Sequence, residues 1–169
     1  MKPKINLYVF SERKLTKDFL RSVRNEMVYR FNLDLDLKEF VDSFKDDLVL
    51  GACLKKLKGM RPMTHGSLYD YLVIAIVLQN APVRRSVSMM QSLFENYGVL
   101  LRYDKKELYC MWGPKVLAKV PEKELRELKI GYRAKSFIRV SEPFARGEIN
   151  EMELRKKSPE EQKKILLGL

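Results

Sequence analysis

The sequence has little cysteine and little histidine for a chain of 169 residues. Its two cysteines, Cys53 and Cys110, lie in unrelated apolar segments, which argues for a reducing compartment and against a disulfide framework. We expect both to be small core residues. The one histidine, His65, has no convergent partners at useful spacing, so neither a zinc site nor a Ser-His-Asp triad is expected. We interpret it as a loop residue just before a helix.

Long hydrophobic runs are also absent. The longest run, 71–78, has eight residues, whereas a helix that crosses a bilayer needs about 20. The N-terminal sequence MKPKINLYVF has no apolar region followed by a small-residue cleavage site, so we expect no secretion signal. Hydrophobic residues make up 46% of the chain, which suffices for a core that needs no disulfide or metal ion to hold it together. We therefore predict a cytoplasmic protein without a membrane span, a metal or a cofactor.

Basic residues outnumber acidic ones by 33 to 22, which gives a formal net charge of +11. An excess of this size favours a polyanionic partner such as nucleic acid. The alternative is the lysine-rich, solvated surface of a protein from a thermophile. The placement of the charge separates these two interpretations better than its amount does.

Two long windows of the sequence contain no carboxylate. Window 71–94 carries Arg84 and Arg85, and window 129–141 carries further cations at Lys129, Arg133 and Lys135. Each window includes the predicted start of a helix, where free N–H groups and the helix dipole favour a phosphate. Burial of the apolar run explains the missing acids only up to residue 78. We therefore expect the two windows to form one positive face.

The pattern of apolar residues predicts a mostly α-helical chain. The segment KINLYVF alternates like a short N-terminal strand, and no second strand is evident. Helices are expected after an N-cap at Thr16, from 36, within 48–58, over 68–79, from Pro82 to Gly98, and over 132–146. The helix over 68–79 is expected to be buried on all sides. The apolar faces of the first, second and fifth of these helices are expected to point inward, and they include Phe19, Leu20, Phe31, Phe40, Phe44, Val83 and Val87. Capping boxes at Ser67/Asp70, Asp104/Glu107 and Ser158/Glu161 predict three helix starts, and shorter helices are expected from Pro114, from Pro121 and near 150. We place one domain at 1–33 and a helical domain at 34–169.

Three segments resemble helix-hairpin-helix DNA glycosylases. SLYDYLVIAIVLQNAPVRRSVSMM is similar to the buried helix and following turn of that family. LRELKIGYRAKSFIRVSEPF resembles its LGxGYRA helix start, as found in the 8-oxoguanine branch. RFNLDLDLKEF resembles the segment that follows the small β-domain in that branch and in the 3-methyladenine enzymes. The resemblance spans roughly residues 28–169, and it implies that the N-terminal strand is a remnant of the β-domain.

The resemblance implies roles for individual residues. Gln79 matches an amide that fills the hole left by a flipped nucleotide. Arg84 matches a contact to the widowed base, which is the partner base left unpaired when the nucleotide flips out. Tyr132 matches an aromatic wedge beside the lesion, and Arg133 a second contact to the widowed base. Such groups offset a flipping cost of a few kcal/mol. The full predicted DNA-binding set is Gln79, Asn80, Arg84, Arg85, Tyr132, Arg133 and Lys135. The alternatives are that Gln79 only caps its helix and that Tyr132 is half-buried.

The resemblance also implies missing parts. Leu169 ends the sequence where the family would continue with its glycine-rich hairpin, catalytic lysine and catalytic aspartate, so no residue here is assigned a catalytic role. We expect a glycosylase-like portion that binds double-stranded DNA at a damaged base or abasic site and is inactive alone. A complementary chain or a second copy is expected at Ile165, Leu166 and Leu169 in the last helix. The alternatives are a nucleic-acid-binding helical module unrelated to base repair and a protein–protein interaction domain.

Overall fold

The computed structural model of the chain describes residues 5–57, 59–64 and 66–169. The chain divides into two compact units, Met1–His65 and Gly66–Leu169. The predicted domain boundary after residue 33 lies within the first unit. His65, which we interpreted as a loop residue before a helix, lies outside the described residues.

The described residues of the first unit form three helices. They are α1 (Lys17–Arg30), α2 (Lys38–Phe44) and α3 (Leu50–Lys56). The predicted N-cap is confirmed, because the Thr16 hydroxyl accepts a hydrogen bond from the Phe19 N–H at 3.1 Å. This bond satisfies one of the N–H groups that the first turn of a helix leaves free.

The apolar faces predicted for α1 and α2 are only partly covered. Gly51 is the one buried residue among those described in the first unit. Several residues that we expected to point inward are exposed: Phe19, Leu20, Phe31, Phe40 and Phe44. The prediction that Cys53 is a core residue is wrong for the same reason, since its side chain is exposed. Three short helices enclose too little volume to bury a full face of each.

The predicted N-terminal strand is also wrong. Residues 5–10 are exposed and form no strand. A strand needs a partner for its backbone hydrogen bonds, and in the described part of the chain the only sheet lies far away in the sequence, at 99–110.

The second unit contains seven helices and a hairpin within its described residues. They are α4 (Leu68–Leu78), α5 (Val83–Tyr97), β1 (Val99–Tyr103), β2 (Lys106–Cys110), α6 (Pro114–Leu117), α7 (Glu122–Leu125), α8 (Arg133–Arg146), α9 (Glu151–Leu154) and α10 (Pro159–Leu167). A wide helical turn, Arg126–Ile130, follows α7 directly. The mostly helical fold class is therefore confirmed.

Capping chemistry explains where the helices of the second unit begin and end. Complete capping boxes at Ser67/Asp70 and Ser158/Glu161 start α4 and α10, as predicted. Gly147, with φ of +76°, ends α8 in the left-handed conformation that glycine adopts without a steric penalty.

The third predicted capping box is wrong. Asp104 does not start a helix. Asp104 and Lys105 both have positive φ, 48° and 60°, and form the two-residue turn between β1 and β2. Successive positive φ angles match the right-handed twist of a hairpin. Cys110, at the end of β2, is exposed and is not the core residue that we expected.

The core lies where α4 packs against α5 and α8, and where α6 packs against α8. Fully buried side chains from these elements and the neighbouring loops fill it: Val73, Leu93, Trp112, Leu117, Leu125 and Phe137. Helix α4 contributes only one face to this core, with Tyr69, Val73 and Val77 as its buried residues. Leu78 is 55% exposed, so the prediction of all-round burial for α4 is wrong.

The buried face of α5 differs from the predicted one in its first half. Ser86 and Met89 are buried, whereas Val83 and Val87, which we expected to point inward, are 77% and 60% exposed. These two valines line an apolar groove of about 540 Å³ between α4, α5 and β2. The packing of α5 against the wide turn after α7 determines which side of α5 is buried, because that turn covers the Met89 side of the helix.

The apolar residues at the end of the sequence are covered to different degrees. Leu169 packs against the core, and Ile165 and Leu166 are half-buried, while Leu167 is exposed.

Within the described ranges, no helix has both the length and the apolar character that crossing a membrane requires. Across the same residues, His, Cys, Asp and Glu side chains form no group of three or more that could hold a metal ion.

Candidate nucleic-acid interface

The turn between α4 and α5 and the first turn of α5 together hold four of the predicted site residues. Gln79 leaves the helix with extended backbone angles, φ −60° and ψ 119°, and Asn80 has a positive φ of 48°. Pro82 is again extended and starts α5. Gln79, Asn80, Arg84 and Arg85 are all exposed. The Gln79 side chain has no hydrogen-bond partner within the described residues, so it does not act as a side-chain cap for α4.

A second turn leads into α8. Lys129 has left-handed angles, φ 61° and ψ 20°, and Gly131 has φ 65° and ψ −135°, a region open essentially to glycine. Tyr132 is the N-cap of α8 and is 54% exposed, an exposure that fits the half-buried alternative as well as an aromatic wedge. The next residue, Arg133, is only 2% exposed.

The Arg133 side chain joins the two turns. Its Nε donates a hydrogen bond to the Ile76 carbonyl at 3.0 Å, and its Nη2 donates to the Gln79 carbonyl. These are backbone acceptors at the C-terminal end of α4, where a helix leaves its last carbonyls without partners. The guanidinium carbon also lies 4.7 Å from the centroid of the Tyr132 ring, in cation–π geometry. Gln79 and Tyr132 therefore contact the same guanidinium group.

The predicted site residues consequently fall into two groups. One group is exposed: Gln79 and Tyr132, which contact the Arg133 guanidinium, Asn80 beside Gln79, Arg84 and Arg85 in α5, and Lys135 in the first turn of α8. Arg133 itself was predicted to contact a widowed base. In this structure its Nε and Nη2 hydrogen-bond to the protein backbone and its side chain is buried.

A cationic pocket of about 480 Å³ lies beside these residues. Arg84 and Arg85 from α5 and Lys129 from the wide turn contribute its charges. Its other lining residues are Pro82, Ser88, Met89, Ser92 and Leu128, so the lining contains no carboxylate. The two acid-free windows thus meet here. Lys129 was not in the predicted set, although its place in an acid-free window was a signal that could have found it.

This arrangement of helices is the fold of the 8-oxoguanine and 3-methyladenine DNA glycosylases. The chain is similar to MBOgg1 in complex with a low-affinity DNA ligand, with 25% identity and a TM-score of 0.72, over 88% of this chain and 51% of that one. It is similar to the 8-oxoguanine glycosylase/lyase of Clostridium acetobutylicum in complex with double-stranded DNA, with 21% identity and a TM-score of 0.67, over 88% and 52%.

A third similar structure comes from the other branch. The 3-methyladenine DNA glycosylase of Archaeoglobus fulgidus has 17% identity and a TM-score of 0.73, over 92% of this chain and 53% of that one. The chain therefore spans about half the length of these proteins. No protein-family model matches the sequence, and no curated protein matches it.

Proposed function

We propose that the chain is the DNA-binding portion of a base-excision-repair glycosylase-like protein, and that it binds double-stranded DNA around a flipped or missing base. The observation that carries this proposal is the shared contact of Gln79 and Tyr132 with the Arg133 guanidinium. It ties the backbone of Gln79, whose side chain is exposed, to the exposed ring of Tyr132. Arg84, Arg85 and Lys129, which lie close to these two residues in the sequence, line a cationic pocket. The similar glycosylase/lyase from Clostridium acetobutylicum is bound to DNA with cytosine opposite 8-oxoguanine, which supports this partner.

Each exposed group has a chemical task in this proposal. Flipping a nucleotide out of a duplex costs a few kcal/mol, and the protein has to replace the lost stacking and pairing. Stacking of a base on Tyr132 contributes about 1–3 kcal/mol. The Gln79 amide both donates and accepts, so it can pair with a base edge in the vacated space. Arg84 offers a planar fork of donors to the partner base.

In this proposal, Arg133 has a different role from the contact to the widowed base that the family resemblance implied. Because it is buried and bonded to the Ile76 and Gln79 carbonyls, it acts as a positioning residue. It fixes the end of α4 relative to the start of α8, and therefore the spacing between the Gln79 backbone and the Tyr132 ring. Preorganisation of this kind lowers the entropic cost of binding.

The proposal assigns no catalytic residue to this chain. The lining of the cationic pocket contains no carboxylate that could serve as a general acid or base. In the proposal, base release requires groups from a complementary chain or from a second copy that contacts α10. Leu167, which is 77% exposed, is the apolar residue of α10 most open to such a contact, while Leu169 packs on the core.

The experiment is a comparison of affinities for two duplexes that differ only in one stable abasic analogue. Tyr132→Ala and Gln79→Ala should reduce the preference for the abasic duplex, the tyrosine variant by about 5- to 150-fold, as expected for one lost stacking contact. Two matched controls remove the same groups elsewhere: Tyr103→Ala, where the tyrosine is 56% exposed on β1, and Gln91→Ala, on the exposed side of α5.

The result separates the proposal from its alternatives. The controls should keep the wild-type preference. If the Tyr132 and Gln79 variants also keep it, the displaced-base assignment fails. DNA binding without any abasic preference in the wild type would instead favour a helical nucleic-acid-binding module unrelated to base repair. An absence of DNA binding at low salt would favour a protein–protein interaction domain.

A further inference from the structure

We propose that the pocket formed by Arg84, Arg85 and Lys129 binds a backbone phosphate of the DNA, and that Lys129 keeps a strained backbone conformation in order to supply the third cation. This inference rests on the proposed function. It adds Arg85 and Lys129 as phosphate contacts, while Arg84 lies at the border between this pocket and the contacts assigned to the displaced base. The pocket lies on the side of α5 that faces the wide turn after α7.

The polar groups of the pocket converge from two elements. Arg84, Ser88 and Ser92 follow one another at intervals of four residues, so their side chains lie along one face of α5. Lys129 faces them from the wide turn. Two hydroxyl groups and three cations therefore surround a space of about 480 Å³. A phosphate group accepts hydrogen bonds on every exposed oxygen and carries the opposite charge, so it fits this set of donors.

The charges of the pocket are not balanced by the protein. Within the part of the chain that the structure describes, Arg84, Arg85 and Lys129 form no ion pair and no side-chain hydrogen bond. Other arginines on the same unit do pair with carboxylates, and one of them lies only three residues from Lys129. The pairs are Arg102 with Glu107, Arg126 with Glu122, Arg146 with Glu148 and Arg155 with Glu151. Three like charges that line one cavity repel each other unless an anion lies between them.

The backbone of Lys129 is the second observation. Its φ of 61° and ψ of 20° lie in the left-handed region, where a lysine is disfavoured and glycine is not. Strained residues of this kind cluster at sites that clamp a ligand. A glycine at 129 would relieve the strain but would remove the cation. The presence of lysine at this position is explained if the charge is needed.

The test uses the full chain and a pair of matched lysines. Lys105, in the hairpin turn, has φ of 60° and is exposed like Lys129, but it lies outside the pocket. Lys129→Gly and Lys105→Gly therefore remove the same charge and the same kind of strain. We expect each to raise the melting temperature by about 2–4 °C. Lys129→Asn removes the charge with a residue that tolerates positive φ, and so separates charge from strain.

The main readout is the slope of log affinity for duplex DNA against log salt concentration. Loss of one phosphate contact should make this slope shallower by about 0.9 in Lys129→Gly and in Lys129→Asn. Lys105→Gly should keep the wild-type slope. Equal slopes in the wild type and both Lys129 variants would overturn the inference.

A second arm identifies the source of the phosphate. Inorganic phosphate is compared with sodium chloride at the same ionic strength by its effect on the melting temperature. Suppose that phosphate stabilises the wild type but not Lys129→Gly, and that the salt slopes of DNA affinity are the same in both. The pocket then binds a free anion, and the assignment to DNA is overturned. A shallower slope in the Lys129 variants, with equal wild-type affinity for intact and abasic duplexes, would support the phosphate pocket and contradict only the displaced-base function.

Discussion

Arg133 donates a hydrogen bond to the backbone carbonyl of Gln79, 54 positions earlier in the sequence. This bond connects the first turn of α8 to the end of α4. The same guanidinium lies against the ring of Tyr132, so the two exposed residues assigned to the DNA contact share one buried support. The rigidity of the candidate interface therefore depends on a residue that does not itself face outward.

The first prediction concerns this support. Arg133→Met should lower the free energy of unfolding by about 1–3 kcal/mol, because the carbonyls of Ile76 and Gln79 lose their donor in a buried environment. Arg133→Lys should lose less, since an ammonium group keeps the charge but not the planar fork. Urea unfolding of each variant measures the change. Arg139→Met, on the exposed side of the same helix, should stay within about 0.5 kcal/mol of the wild type. A wild-type midpoint for Arg133→Met would contradict the assigned role.

The second prediction concerns a buried pair of hydroxyl groups. The Tyr69 and Ser141 oxygens are 2.7 Å apart, and both residues are buried between α4 and α8. Tyr69→Phe should cost about 1–3 kcal/mol, because the Ser141 hydroxyl loses its partner. The double variant Tyr69→Phe/Ser141→Ala should cost less than the sum of the two single changes, since no unsatisfied group remains. A double-mutant cycle by denaturant unfolding provides the measurement. Strictly additive effects would show that the two hydroxyl groups do not interact energetically.

The third prediction concerns stability at alkaline pH. Burial, together with the hydrogen bond from the Tyr97 hydroxyl to Glu124 at 2.8 Å, raises the pKa of Tyr97 well above its usual range. Burial also raises the pKa of Tyr69. The folded protein therefore holds these protons where the unfolded chain has lost them. Their stabilising contribution is complete below about pH 10 and declines as the pH rises above that value.

Spectrophotometric titration of the phenol groups checks this prediction. Two of the tyrosines should ionise after the rest, in step with unfolding. In Tyr97→Phe, stability should depend less steeply on pH above about 10. If all tyrosines ionise together while the chain stays folded, the assigned environments of Tyr69 and Tyr97 are wrong.

Helix starts were well predicted from the sequence because capping is local. The boxes at Ser67/Asp70 and Ser158/Glu161 each join residues three positions apart, so a short window contains the whole interaction. The stop at Gly147 is local in the same way. Overall helical character follows from these signals and from apolar periodicity.

Features that depend on distant partners were missed. Residues 5–10 have the alternation of a strand, but alternation does not supply a neighbouring strand. The hairpin was missed because Lys105 stands where such turns usually have glycine, and because Asp104 with Glu107 imitates a capping box. The exposure of Val83 and Val87 depends on which side of α5 the wide turn covers, and no pattern within α5 specifies that side.

The candidate site was predicted only in part. The acid-free windows pointed to Arg84, and the resemblance to the glycosylases pointed to Gln79 and Tyr132; all three residues are exposed. The inward direction of Arg133 was not predictable, because its acceptors lie 54 and 57 positions away in the sequence. Lys129 was left out of the predicted set although it lies in an acid-free window; its backbone angle and the pocket that it shares with α5 become visible only in the structure.

The fourth prediction concerns activity. We expect the purified chain to release no 8-oxoguanine from duplex DNA, because the pocket beside the proposed contacts has no carboxylate lining to act as general acid or base. Gel analysis of an end-labelled duplex, after treatment that cleaves abasic sites, detects release. Excision that co-purifies with this chain and is altered by substitutions within it would contradict the assignment of a binding role alone.

The most direct test of the account measures the affinity of the wild-type chain for an intact duplex and for the same duplex with one abasic analogue, across a series of salt concentrations. The account predicts tighter binding to the abasic duplex, because Tyr132 and Gln79 then enter a gap that already exists and the flipping cost is avoided. It also predicts that both affinities fall steeply as salt rises, because phosphates at the cationic face release counterions. Equal affinities for the two duplexes, or a flat response to salt, would contradict it.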